Sequence, residues 1–126
     1  LANLDLMEKE QLPQRVKNDI GPYLAKGFEA IAQHPLVGSA ETCGFTAGLV
    51  LVKNKATRER FAAELSVGMI CRRHCFQNGL IMRAVGDRMI IAPPLVMTND
   101  EIDELLRLIN NALDLTLQEL KQKGLY

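Results

Sequence analysis

Tryptophan is absent from the 126 residues, and aromatics make up only 5% of them. A core built mainly on large rings is thereby excluded, and aliphatic side chains must fill it. Apolar residues reach 48% of the chain, enough for one compact domain without disulfides or metal. Net charge is absent too, with 15 basic residues against 15 acidic ones. No global field therefore favours nucleic acid or an anionic membrane, and any anion must be recognised by a local site. The three cysteines are an odd number without framework spacing, which excludes a disulfide scaffold and suits a reducing compartment. The longest apolar stretch, near Met89 to Met97, is far too short to span a bilayer, and the N-terminus lacks a signal-peptide pattern. A soluble cytoplasmic protein is expected. An initiator methionine is also missing, and "LANLDLMEKE" begins inside an amphipathic pattern. The expected organisation is one domain, residues 1–126, excised from a longer chain.

What is present reads as alternating helices and strands. Leu4, Leu12, Val16, Ile20, Tyr23, Leu24, Phe28 and Ile31 recur at mostly three- and four-residue spacings, predicting helix from Leu1 to about Gln33. Pro22 removes a backbone donor and disfavours helix at Gly21, so a kink or break is expected in "IGPY". His34-Pro35 ends the helical region. "LVGSAETCGFTAGLVLVK" then supplies two strands with a turn or bulge near Cys43-Gly44. Phe45 to Val52 has apolar or small residues almost throughout, which predicts a strand covered on both faces. "NKATRERFAAE" is polar loop, and "SVGMICRRHCFQNG" reads as a helix with Ser66 as N-cap and Gly79 just past its end.

The pair Gly86-Asp87 predicts a two-residue reversal between strands Leu80 to Val85 and Arg88 to Ala92, with Pro93-Pro94 stopping the pairing. "TNDE", Thr98 to Glu101, matches a capping box. The helix it opens buries Ile102, Leu105, Leu106, Ile109, Leu113, Leu117 and Leu120. The order of elements implies an α/β fold of the α+β type, a two-layer sandwich in which helices pack on a small, largely antiparallel sheet.

Arg83 is the residue this pattern does not explain. With Gly86-Asp87 at the turn it lies opposite Ile90 and shares a sheet face with Ile81, Val85 and Ala92. An unpaired guanidinium buried there would cost about 3–5 kcal/mol, by analogy with broken buried ion pairs. Three resolutions are open: a carboxylate such as Glu41 on a neighbouring strand, an edge position from which the side chain reaches water, or a ligand carboxylate held bidentately. Cys71, His74 and Cys75 share one helix at metal-ligand spacing, but no fourth ligand is evident, and buried core thiols are the plainer reading. Met69, Met82, Met89 and Met97 read as core filler. No phosphate loop, nucleophile elbow or zinc-protease helix is present. The lysines, Lys53 and Lys55 included, sit in polar flanks without the desolvation that activates an amine.

"GLIMRAVGDRMIIAPPLVMTNDEIDELL", Gly79 to Leu106, closely resembles the C-terminal segment of class III aminotransferases, pyridoxal phosphate enzymes of fold type I, and most strongly their amine:pyruvate or omega-transaminase branch. The likeness continues through "LVLVKNKATRERF" and, more loosely, through "LANLDLMEKEQLPQRVKNDIGPYL". The resemblance implies a small domain that packs beside the large cofactor domain of the same chain, closes the active site and belongs to a homodimer. It implies that Arg83 binds the carboxylate of an amino acid or keto acid, and swings aside for an amine without one. It also implies that the Schiff-base lysine, the pyridinium-pairing aspartate and the main phosphate contacts lie in the large domain. Catalytic, cofactor-binding and metal residues are then expected to be absent here, so this chain alone neither holds pyridoxal phosphate well nor transaminates. One departure is that Glu41, Thr42 and Cys43 stand where relatives commonly have an arginine and a Gly-rich approach to the strand. The alternatives are a stand-alone module binding small carboxylates, or a structural interaction domain.

Overall fold

A computed structural model describes all residues from Leu1 to Tyr126. Four antiparallel strands form one sheet: β1 (Val37–Cys43), β2 (Thr46–Leu51), β3 (Arg83–Val85) and β4 (Arg88–Ile91), in the order β1-β2-β4-β3. The helices are α1 (Ala2–Lys9), α2 (Leu12–Arg15), α3 (Gly21–Ile31), α4 (Val67–Gln77) and α5 (Asn99–Gln122). Helices α3 and α4 lie against the sheet, and α5 packs across both. This is the expected α+β architecture of helices on a small antiparallel sheet.

The N-terminal helical region is more broken than its periodicity predicts. Gln11 adopts a left-handed conformation between α1 and α2. Val16–Ile20 then form a π-helical turn that leads into α3 at Gly21-Pro22. A π turn accommodates the proline's missing donor by lengthening the hydrogen-bond loop. Leu12, Ile20, Leu24, Phe28 and Ile31 are buried as expected, whereas Leu4 stands exposed on α1. Met69 is likewise half exposed, so of the four methionines read as filler only Met82 and Met89 are fully in the core.

Helix α5 follows the sequence closely. The Thr98 hydroxyl accepts from the Glu101 backbone, and the Glu101 carboxylate accepts from the Thr98 N–H at 2.8 Å. Ile102, Leu105, Ile109, Leu113 and Leu120 are buried, joined by Ala112 and by Thr116, whose hydroxyl donates to the Ala112 carbonyl at 2.6 Å. Helix α4 begins differently from its sequence reading. Ser66 has φ +48° and its side chain caps nothing; instead the Asp87 carboxylate accepts from the Gly68 N–H at 3.1 Å.

On β2, Ala47, Leu49 and Leu51 are buried while Thr46, Gly48 and Val50 are exposed or half exposed. The strand expected to be covered on both faces is therefore covered on one within this chain. The small residues on its outer side look like core composition but meet no helix.

Candidate functional site

The hairpin register is the one the Gly-Asp turn predicts. Arg83 pairs with Ile90, Ala84 with Met89, and Val85 with Arg88. Gly86 has φ +56°, as the first residue of a II′ reversal requires, and glycine reaches that conformation without steric cost. The ladder is shorter than expected, since β3 starts at Arg83 instead of Leu80. Residues 80–82 still alternate, with Leu80 and Met82 buried and Ile81 exposed. β4 stops at Ile91, just short of Ala92 and of Pro93, which has no N–H to donate.

Pairing then sorts the side chains. Met82 and Met89 point into the helical layer, as do Ala47, Leu49, Leu51 and Ile91. Arg83, Val85, Arg88 and Ile90 project from the other side of the sheet, beside Gly48 and Val50 of β2 and Ser39 and Glu41 of β1. No element covers this side. A shallow depression of about 270 Å³ lies on it, bordered by Ser39, Glu41, Gly48, Val50, Arg88 and Ile90.

Arg83 is exposed on the edge strand β3, flanked by Ile81 at 74% and Val85 at 51% exposure. It makes no ion pair: the carboxylates that pair within the chain are those of Glu59, Glu104, Asp114 and Glu119, each with other partners. Glu41, the neighbouring carboxylate considered above, belongs to β1, with β2 and β4 between it and β3. The edge placement resolves the apparent conflict. A solvated guanidinium needs no internal partner and remains free to take one from outside.

Cys71, His74 and Cys75 do not form a metal centre, and no group of three or more ligating side chains converges anywhere in the chain. Both thiols are buried on α4. The neighbouring Cys71 sulfur, which favours the protonated form of Cys75, together with burial pushes the Cys75 thiol well above its ordinary range, as expected of an inert core residue. His74 instead donates from Nε2 to the Glu119 carboxylate of α5 at 2.7 Å. Lys123 and Arg73 also reach Glu119. Hydrogen bonds from Lys123 and Arg73, more than from His74, hold that carboxyl at a pKa of about 2. This hub ties α4 to α5; the i,i+4 rule announces its Glu119–Lys123 pair, but no spacing rule announces the contacts from Arg73 and His74.

The fold defines a class: the architecture is that of the C-terminal domain of transaminases. A putrescine–pyruvate aminotransferase from Pseudomonas aeruginosa is 53% identical over 116 residues, 92% of this chain and 25% of that protein. A transaminase obtained by directed evolution through ancestral reconstruction superposes with TM-score 0.90 and 39% identity, over 95% of this chain and 27% of its own. A thermostable omega transaminase from Pseudomonas jessenii gives TM-score 0.86 and 29% identity, over 94% and 26%. No family model matches the chain. By sequence and by fold the chain is homologous to the C-terminal domain of these aminotransferases, and it spans about a quarter of the length of the relatives it matches. No helix is long and apolar enough to cross a membrane.

The residues present do not fit a pyridoxal phosphate site. All seven lysines are exposed, so none has the desolvated amine of a Schiff-base lysine. The N-termini of α4 and α5, where backbone N–H groups could otherwise receive a phosphate, are already filled by the carboxylates of Asp87 and Glu101.

Proposed function

We propose that this chain is the small C-terminal domain of a class III, pyridoxal-phosphate-dependent aminotransferase of the omega-transaminase type. The whole enzyme passes an amino group from an amine or amino acid to a keto acid such as pyruvate. In this reading the cofactor supplies the carbanion chemistry and is held by residues outside this chain. The domain contributes Arg83, which receives the substrate carboxylate, and a sheet face that helps close the active site against the large domain of a homodimeric cytoplasmic enzyme.

The observation that carries the role of Arg83 is its freedom. The guanidinium sits at a sheet edge, has no carboxylate partner in the chain, and stands between two exposed apolar side chains, Ile81 and Val85. A planar fork with unspent donors matches a carboxylate bidentately, and the apolar neighbours suit the carbon skeleton that follows it. The same freedom allows the side chain to turn away when an amine donor brings no carboxylate. An exposed arginine–carboxylate pair contributes only about 0–1 kcal/mol in water. Selective binding therefore depends on a second surface that closes over Arg83 and excludes solvent, and the isolated chain binds pyruvate only weakly.

The test uses the full-length enzyme in wild-type and Arg83→Ala forms, with one amine donor and either pyruvate or an aldehyde acceptor that has no carboxylate. The expected result is a fall in kcat/KM of about 10- to 100-fold with pyruvate, the worth of one charge-assisted bidentate contact. The aldehyde should react at a nearly unchanged rate. Equal loss with both acceptors, or no loss with either, overturns the assignment of Arg83.

A further inference from the structure

A second group of arginines lies on the open side of the sheet, apart from Arg83. Arg58, Arg60 and Arg88 border one depression of about 190 Å³, together with Ser39, Val50 and Val52, and no acidic residue lines it. The chain as a whole is neutral, so this is a local concentration of charge. None of the three arginines makes an ion pair. Glu59, between two of them in sequence, pairs with Lys53 at 3.2 Å instead. Glu41 borders the neighbouring depression that Arg88 also reaches, but forms no ion pair with it.

Two elements bring the arginines together. Arg88 opens β4, opposite Val85 on one side and Val50 on the other. Arg58 and Arg60 come from the loop after β2, which folds back through a bridge between Asn54 and Glu59. Within that loop Arg58 has φ +58°, a left-handed conformation disfavoured for any residue with a Cβ. The loop thus keeps an arginine where a glycine would be relaxed.

We propose that Arg58, Arg60 and Arg88 form a binding site for a small oxyanion of the phosphate class, carrying two or more negative charges. One fork satisfies a planar monocarboxylate, as at Arg83, whereas three guanidiniums around one depression suit a tetrahedral anion with oxygens pointing several ways. Ser39, also among the lining residues, can add a neutral hydroxyl donor. The depression of about 190 Å³ has room for one phosphoryl group, and Val50 and Val52 are the apolar residues that line it.

Inorganic phosphate is the probe, titrated into the isotopically labelled full-length enzyme loaded with its cofactor, at ionic strength held constant with chloride, while backbone amide shifts are followed. Saturable shifts at residues 38–39, 50–52, 58–60 and 88 are expected. Arg60→Gln and Arg88→Gln should each weaken binding by about tenfold, the usual worth of one charge-assisted hydrogen bond. Arg107→Gln, which removes an arginine already paired with Glu104, should leave binding unchanged. All three site arginines are exposed, so the variants should keep the wild-type spectrum elsewhere. Pyruvate under the same conditions should bind this group more weakly than phosphate. Linear shifts spread over all basic residues, no binding at tens of millimolar phosphate, or equal affinity in the Arg58→Gln, Arg60→Gln, Arg88→Gln triple variant would each overturn the proposal.

Discussion

On one side of the sheet, Leu49, Leu51, Met89 and Ile91 lie buried under helices; on the other, Val50, Arg88, Ile90 and Arg83 meet no helix. The two sets alternate along the same strands, so neighbouring residues face different selection. The covered side holds the domain together, and its side chains are aliphatic and sulfur-containing. The uncovered side carries arginines, an acid and a glycine, a composition that adds little stability and offers donors to whatever approaches. The pleat of the sheet thus separates side chains that pack the core from side chains that meet no helix, and substitutions on the two sides should have effects of different kinds.

The largest effect on folding is expected at the covered face. Leu49→Ala should destabilise the domain by about 2–5 kcal/mol, through lost transfer energy and an unfilled cavity. Urea unfolding checks this, and a loss under 1 kcal/mol would mean that the two faces are not energetically distinct.

Gly68→Ala probes the contact between α4 and the turn. A Cβ there would lie 2.0 Å from the Gly86 carbonyl oxygen, so the helix start and the hairpin must separate. Overpacking of this kind costs roughly 1–3 kcal/mol, and the Asp87 cap on the Gly68 N–H would be strained as well. Protection of the Gly68 amide from hydrogen exchange should fall together with stability.

Acid should act mainly through the helical layer. Glu119 has a pKa lowered from 4.5 to about 2 in the folded chain, so the native state favours its ionised form. Its contribution is fully present above pH 4.5 and is lost as pH falls through about 2. His34 adds an earlier step. Burial lowers its pKa below 6.5, and its Nδ1 accepts from the Leu36 N–H at 3.1 Å, which a proton there would prevent. That contribution is present above pH 6.5 and declines as pH falls toward the lowered value. Glu119→Gln should flatten the stability profile below pH 4.5 and leave the His34 step in place. Arg73 and Lys123 are half exposed, so added salt should shrink the Glu119 effect.

The smallest effect on folding is expected at the open face. Arg83→Ala should change stability by no more than about 0.5 kcal/mol, since an exposed edge side chain without partners holds nothing together. A loss above 1.5 kcal/mol in urea unfolding would make Arg83 a structural residue and remove the distinction between the faces at that position.

Much of this was readable before any coordinates. The Gly86-Asp87 turn fixed the pairing of Arg83 with Ile90, because a two-residue reversal leaves a single register. The capping box placed the start of α5, and its heptad-like stripe named the residues it buries. The transaminase resemblance rested on the same hairpin and helix start, and the relatives agree with it. Where reading by sequence failed, contacts between distant segments were responsible. Ser66 looked like the cap of α4, but the capping carboxylate is that of Asp87, nineteen positions beyond the Gly68 N–H it accepts from. Cys71, His74 and Cys75 had ligand spacing, yet His74 turns to Glu119, forty-five positions away.

The division has a physical basis. Local dihedral preferences, turn chemistry and the period of two determine which residues share a face, so the sequence by itself determined that Arg83 stands with Ile81 and Val85, and apart from Met82 and Met89. Period alone is symmetric between the two sides of a sheet. Only the tertiary structure decided which side the helices cover, and that choice left Arg83 at an exposed edge, with two strands between it and Glu41 and its donors free.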